Sequence, residues 1–323
     1  MRMKSRALKF LLILILCFPT SMAVGKEWAD FPALLIKKIP GRPYWAMSGS
    51  EFAKYVSAMD KSEREQVILS QLTAGNLPNF LKKLKPVYLS GILEDGKAIT
   101  ATIFVMPDYL SIGSDRDFLR IPMALSSALE VANRFGFILP TKKMVDAIFQ
   151  QSAFHFAPNP MPPGPQMRST AYYLEHNRQI NRQRLALGCP LDALVSGHKK
   201  DVVLTNRLAR NRQKVAIYGW HNLSGTPIQP LTTIHGMGYA DYSHGIRLVS
   251  RIALLDGKPI PVDEILQDPK LANLLSDEGA MRGLRQFMTF RRRPPVWAAD
   301  TSGPAALPAF QAASNSRPLG PPQ

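Results

Sequence analysis

The sequence predicts an α+β fold: a mixed or antiparallel sheet with flanking helices, a helical N-terminal part and a disordered C-terminal tail. Three observations carry this. Strand-like and helix-like segments fall in blocks instead of alternating, which argues against a parallel βαβ array. Apolar residues make up 46% of the 323 and charged residues 20%, the balance of a chain that buries a core. From Arg293 onward Pro, Ala, Ser and Gly dominate with almost no acid, a composition that cannot support packing.

The first 23 residues read as a secretory signal peptide. Arg2, Lys4, Arg6 and Lys9 precede an apolar run from Phe10 to Phe18, and Ser21-Met22-Ala23 places small residues where signal peptidase cuts. The run is too short to span a bilayer comfortably, and no other stretch is long enough. Leu16 before Cys17 excludes a lipobox, which needs a small residue there. Without residues 1–23 the chain keeps 36 basic and 24 acidic residues, a net charge of +12. Outside the cytoplasm the partners of such a surface are anionic envelope polymers or lipid head groups, not nucleic acid. Cys189 is then the sole cysteine, so no intramolecular disulfide forms and the thiol is either buried or reactive.

The part from 24 to 157 opens with helices. Ser48 and Asp60 each stand three residues before a Glu (Glu51, Glu63), the spacing of a capping box. The second helix is expected to end at Gly75-Asn76. Strands follow at Pro86–Ser90, Ile99–Met106 and Tyr109–Ile112, with Asp95-Gly96 as the hairpin turn. Met123–Phe135 predicts a helix with Leu125, Ala128, Leu129 and Ala132 on one face, and Thr141 caps another. Residues 158–170 are a proline-rich connection. The part from 171 to 290 begins with a polar helix over 171–186. Strands are expected at Asp201–Leu204, Val215–Trp220 and Ile246–Leu255, with a turn at Asp256-Gly257 and short helices over 263–267 and 269–275. Residues 291–323 form the tail.

Four of the six histidines fall between 198 and 244. Strand phase puts His221 with Val215 and Ile217, and His244 with Ile246 and Leu248, so both imidazoles extend apolar faces at strand ends. His221, His235, Asp241 and His244 are therefore the candidate catalytic centre. One imidazole can take a proton while another gives one, or the group can hold a divalent metal such as zinc. His198, Lys199, Lys200 and Arg247 are candidates for holding an anionic substrate group. Cys189 is the alternative nucleophile, and His155 and His176 read as structural.

His235-x-x-Gly238-x-Ala240-Asp241 resembles the metal-binding HxxGxAxD stretch of peptidoglycan-cleaving D,D- and L,D-endopeptidases. Its Asp comes one residue early, and the Trp-His pair precedes the motif instead of following it. Ser243-x-Gly245-Ile-x-Leu-Val249 is similar to a strand of zinc-dependent muramoyl-alanine amidases. Cys189 ahead of a strand and a later His suits a papain-like cell-wall peptidase. Each likeness spans under a dozen residues and assigns no residue role. The expectation is an exported hydrolase of an envelope polymer, peptidoglycan or an anionic glycan, with a non-catalytic polymer-binding protein as the alternative from another class.

Overall fold

The computed structural model describes residues 31–283, so the signal peptide over 1–23 and the tail over 291–323 lie outside the described residues. Three N-terminal helices come first: α1 (Phe31–Leu35), α2 (Gly49–Tyr55) and α3 (Lys61–Thr73). Both capping boxes form. Ser48 and Asp60 accept from the backbone of Glu51 and Glu63, whose carboxylates bond back to the cap N–H groups. Gly75 follows α3 in the left-handed region, at φ +89°.

Next come β1 (Lys85–Ile92), β2 (Ala98–Val105), β3 (Ser111–Gly113) and β4 (Phe118–Arg120), then α4 (Leu125–Phe135), β5 (Phe137–Ile138) and α5 (Lys142–Gln151). Helix α4 buries Leu125, Ala128, Leu129 and Ala132 together, as its period requires. Strand β6 (Phe154–His155) leads through the proline segment to α6 (Thr170–Ala186). Then follow β7 (Val195–Ser196), β8 (Lys200–Val202), α7 (Asn206–Arg210), β9 (Ile217–His221) and β10 (Pro227–Thr232). The described chain closes with β11 (His244–Gly245), β12 (Val249–Ser250), β13 (Ile252–Leu255), β14 (Lys258–Pro261) and α8 (Val262–Gln267).

An antiparallel sheet runs β14-β13-β2-β12-β5, with β1 also on β2; a smaller mixed sheet runs β10-β9-β8-β11, with β8 and β11 parallel. The fold is thus α+β. Strand β2 from before the proline segment pairs with β12 and β13 from after it, so the two parts share one sheet and one core. The proline segment is tied down as well: Met161 N–H donates to the Tyr242 hydroxyl at 2.8 Å.

The strand expected over Ile246–Leu255 is broken into pieces. The two residues just before it, β11, belong to the small sheet, while β12 and β13 within it belong to the large one. Between them the backbone bonds the 106–110 segment: Met106 N–H donates to Leu248 O and Leu110 N–H to Ile246 O. Between β12 and β13 the Ser250 hydroxyl bonds both the N–H and the C=O of Ile252, which competes with ladder pairing. One chain segment therefore bridges the two sheets, and the candidate site lies at that bridge.

Candidate functional site

Residues 239–243 are irregular, and His244 N–H donates to Asp241 O at 3.0 Å to close a turn. Asp241 Oδ1 accepts from the Ser243 N–H at 2.8 Å and its hydroxyl at 2.6 Å, an Asx turn. Oδ2 accepts from the Tyr239 hydroxyl at 3.1 Å and stands 3.8 Å from His244 Nε2. The Tyr239 ring meets the His244 ring edge-on at 5.6 Å, and His235 stacks flat on Tyr239 at 4.0 Å. His235, Asp241 and His244 are thus brought together, and Tyr239 joins them. Strand phase and motif spacing do not single out Tyr239; only its place two residues before Asp241 marks it.

His244 is fully buried and neither of its ring nitrogens has a hydrogen-bond partner. Burial, against the pull of Asp241, holds the imidazole below its ordinary value, so it is neutral at neutral pH. Burial would raise Asp241, but its interaction with the neighbouring His244, the bonds from Ser243 and the charge on Lys200 outweigh it and lower that carboxyl. The Tyr239 hydroxyl is pushed up to about 12 by burial and by Asp241, so it stays a donor.

The strand pairing brings lysines to the same place. Lys200 is the register partner of His244, and its Nζ lies 5.0 Å from the Trp220 ring centre. Lys199, 1% exposed, donates from Nζ to Tyr242 O at 2.6 Å, and burial pulls its amine down to about 7. Gly245 is required here: a Cβ would fall 2.5 Å from the Tyr109 ring and 2.9 Å from Lys199 Cβ. Unpartnered buried atoms gather around this turn and the start of β8: both nitrogens of His244, Nδ1 of His176 and of His198, and Nε1 of Trp220. Such atoms are rare in folded proteins and mark places where water or a ligand bonds.

His221 is not in this group. Gly219 at φ +102° and Trp220 at φ +54° interrupt the two-residue alternation of β9. Trp220 therefore turns toward Lys200, while His221 lies with Tyr218 on the side facing α5. There Tyr218 donates to Asp146 Oδ1 at 2.7 Å, His221 Nε2 lies 3.0 Å from the same oxygen, and Lys142 holds Oδ2 at 2.9 Å. His155 also lines this open cleft of ≈ 580 Å³. Nothing in the strand pattern exposed this, because Asp146 is 75 residues away from His221.

Two of the four residues expected to hold substrate are interior fixtures. Arg247, 1% exposed, donates to Met106 O and Val195 O and lies 4.3 Å over the Tyr109 ring. His198 Nε2 lies 3.0 Å from Asp108 Oδ1, on a carboxylate that also takes Arg120 and Arg184. Burial would raise Asp108, but Arg120, His198 and Arg184 hold it well below the usual carboxylate range. Burial pushes Asp201 up to about 6 despite Arg247 and the Tyr109 hydroxyl. These groups brace the strand that presents Lys199 and Lys200.

Cys189 is buried in an apolar cluster with Phe156, Ile180 and Val195, and burial raises its thiol, which disfavours the thiolate. Among the described residues no three His, Cys, Asp or Glu side chains gather as a metal-ligand set, and no helix is long and apolar enough to cross a membrane. The fold and site define an α+β protein with a buried His–Asp pair behind a His–Tyr stack. No family model matches the chain, and no curated protein or solved structure matches it either.

Proposed function

We propose that this protein is an exported hydrolase of an anionic cell-envelope polymer, peptidoglycan or another anionic glycan, working by proton transfer through His244 and Asp241. The observation that carries the reading is a neutral, fully buried imidazole with both nitrogens unpartnered beside a pinned carboxylate. A neutral imidazole accepts a proton from a water as it attacks, and Asp241 stabilises the imidazolium that results. Tyr239 fixes the carboxylate, and the half-buried His235–Tyr239 stack packs against the His244 ring. In this scheme Lys199, whose amine burial pulls down to about 7, is the proton donor to the leaving group. Lys200 beside Trp220 supplies positive charge next to His244, in line with the excess of 36 basic over 24 acidic residues beyond residue 23.

The test is release of soluble fragments from purified envelope polymer, with and without added zinc and with EDTA. Proton transfer by these residues alone predicts release that survives EDTA, and loss with EDTA that zinc restores would replace it with a metal-dependent scheme. Retention on the polymer with no release would instead favour a binding protein. Export is checked separately: N-terminal sequencing of the secreted protein is expected to begin at Val24, and a retained Met1 would remove the envelope from the reading.

A further inference from the structure

The loop from Ile234 to Tyr239, whose last ring packs against His244, gathers positive charge from three separate parts of the chain. Lys214, just ahead of β9, donates from Nζ to Ile234 O at 2.6 Å. Its neighbours are laced to the same loop: Val215 N–H donates to His235 O at 3.1 Å and Met237 N–H to Gln213 O at 2.7 Å. Lys61, at the start of α3, has its Nζ 3.9 Å from the point where a Cβ on Gly238 would stand. Arg168, just ahead of α6, is close enough for its charge to act on the Tyr239 hydroxyl. Lys61 and Arg168 are exposed and Lys214 is half-buried. Few acids reach this face. No Asp or Glu stands between Asp201 and Asp241 in the sequence. Asp241 is held by Ser243 and Tyr239, and Glu65 is buried against the Ala124 N–H. Asp60 and Glu63 offset Lys61 in part, but their carboxylates are turned to the backbone N–H groups at the start of α3, whose dipole balances them. Glu278 sits at the start of α7 on Thr205 and Asn206, with Arg207 at 4.0 Å, and exposed Arg210 and Arg212 follow.

We propose, resting on the envelope-polymer reading, that Lys61, Arg168 and Lys214 hold the repeated anionic groups of a polysaccharide on this loop, so that the protein takes a charged glycan and passes over a neutral one. Cations brought in from three parts of the chain are spread across the loop. They match charges repeated along a polymer better than one small anion. The half-buried His235–Tyr239 stack adds a flat surface, apolar on its rings and polar at its edges, which suits a sugar ring. A lipid surface fits less well, because Ile234 is the one exposed large apolar side chain in the loop and insertion needs an apolar face.

The experiment is fluorescence anisotropy with labelled polygalacturonate, which carries a carboxylate on every sugar, and with labelled neutral dextran. Wild-type protein is expected to bind polygalacturonate with an affinity that falls as salt rises, and to leave dextran free. The triple variant Lys61→Gln, Arg168→Gln, Lys214→Gln should bind at least about tenfold more weakly and show a flatter dependence on salt. Because Lys214 also bonds Ile234 O, the double variant Lys61→Gln, Arg168→Gln is measured beside it. Both of its side chains are exposed, so it should melt close to wild type and still bind more weakly. Exchanging Lys for Arg and Arg for Lys at the three positions keeps the charge and should keep the binding. Wild-type protein that ignores polygalacturonate, or binds dextran equally, would overturn the proposal, and so would a triple variant that binds as wild type does. Loss of binding to phosphatidylglycerol vesicles but not to polygalacturonate would give the face to lipid instead. Fragment release is scored separately: binding without release would sink the hydrolase and leave this face standing, and release without binding would do the reverse.

Discussion

His244 Nε2 faces Asp241 Oδ2 at 3.8 Å, and the two meet only because residues 240–243 form a turn. In a continuous strand, residues three apart point to opposite faces. Here the backbone reverses, Ser243 pins the carboxylate, and the imidazole begins β11 facing it.

Replacing His244 with Gln, which is close in size, should lower release of polymer fragments by a factor on the order of a hundred or more. Stability should fall by about 1 to 3 kcal/mol, because the fully buried ring gives way to an amide with no partner there, which is too little to unfold the chain. Asp241→Asn should lower activity too, but also stability, since the Ser243 and Tyr239 donors lose a charged acceptor. Full activity in His244→Gln would end the acid–base reading. Turnover and thermal melts of both variants decide it.

His221 should behave oppositely. It serves Asp146 on the α5 side, so His221→Ala is expected to leave turnover within about threefold of wild type. Asp146→Ala should cost on the order of 2 kcal/mol, because the Tyr218 hydroxyl, His221 and Lys142 all lose an acceptor. A hundredfold loss of turnover in a well-folded His221→Ala would move the active centre to the open cleft.

Lys199 gives a pH-dependent prediction. Its amine titrates near 7 in the folded chain against an ordinary 10.5. Between those values the unfolded chain holds more protons, so stability is present above about pH 10 and is lost as pH falls toward 7. Lys199→Met removes that slope. Its melting temperature should therefore rise relative to wild type as pH is lowered across this window. Parallel melting curves at all pH values would mean the amine titrates normally.

Cys189→Ser is expected to cost on the order of 1 kcal/mol and leave activity unchanged. Serine can keep both polar neighbours of the thiol, Arg184 Nη1 and Pro190 O, each at 3.4 Å. Abolished activity in a variant with an unchanged melting profile would revive the cysteine-peptidase reading.

Much of this fold can be read locally. The Ser48 and Asp60 capping boxes, the Asp95-Gly96 and Asp256-Gly257 hairpins and the apolar face of α4 involve residues a few positions apart. The Asp241–His244 pair belongs with them, given a break in the strand. Their geometry is written in neighbouring residues, since caps, turns and periodicity are short-range effects.

What adjacency cannot reveal is which distant groups share a site. The left-handed backbone at Gly219 and Trp220 reverses the face of His221, and a bulky residue at positive φ is not announced by its own identity. Asp108 draws Arg120, Arg184 and His198 from three other segments, which turns an expected substrate ligand into a brace. Tyr242 accepts the Lys199 amine at its carbonyl and anchors the proline segment through its hydroxyl. A buried charge must find its partner wherever the chain brings one, because leaving it alone costs several kcal/mol, on the order of an entire domain's margin of stability. Long-range pairing of this kind carries His221 to Asp146 and His198 to Asp108, away from the Asp241–His244 turn.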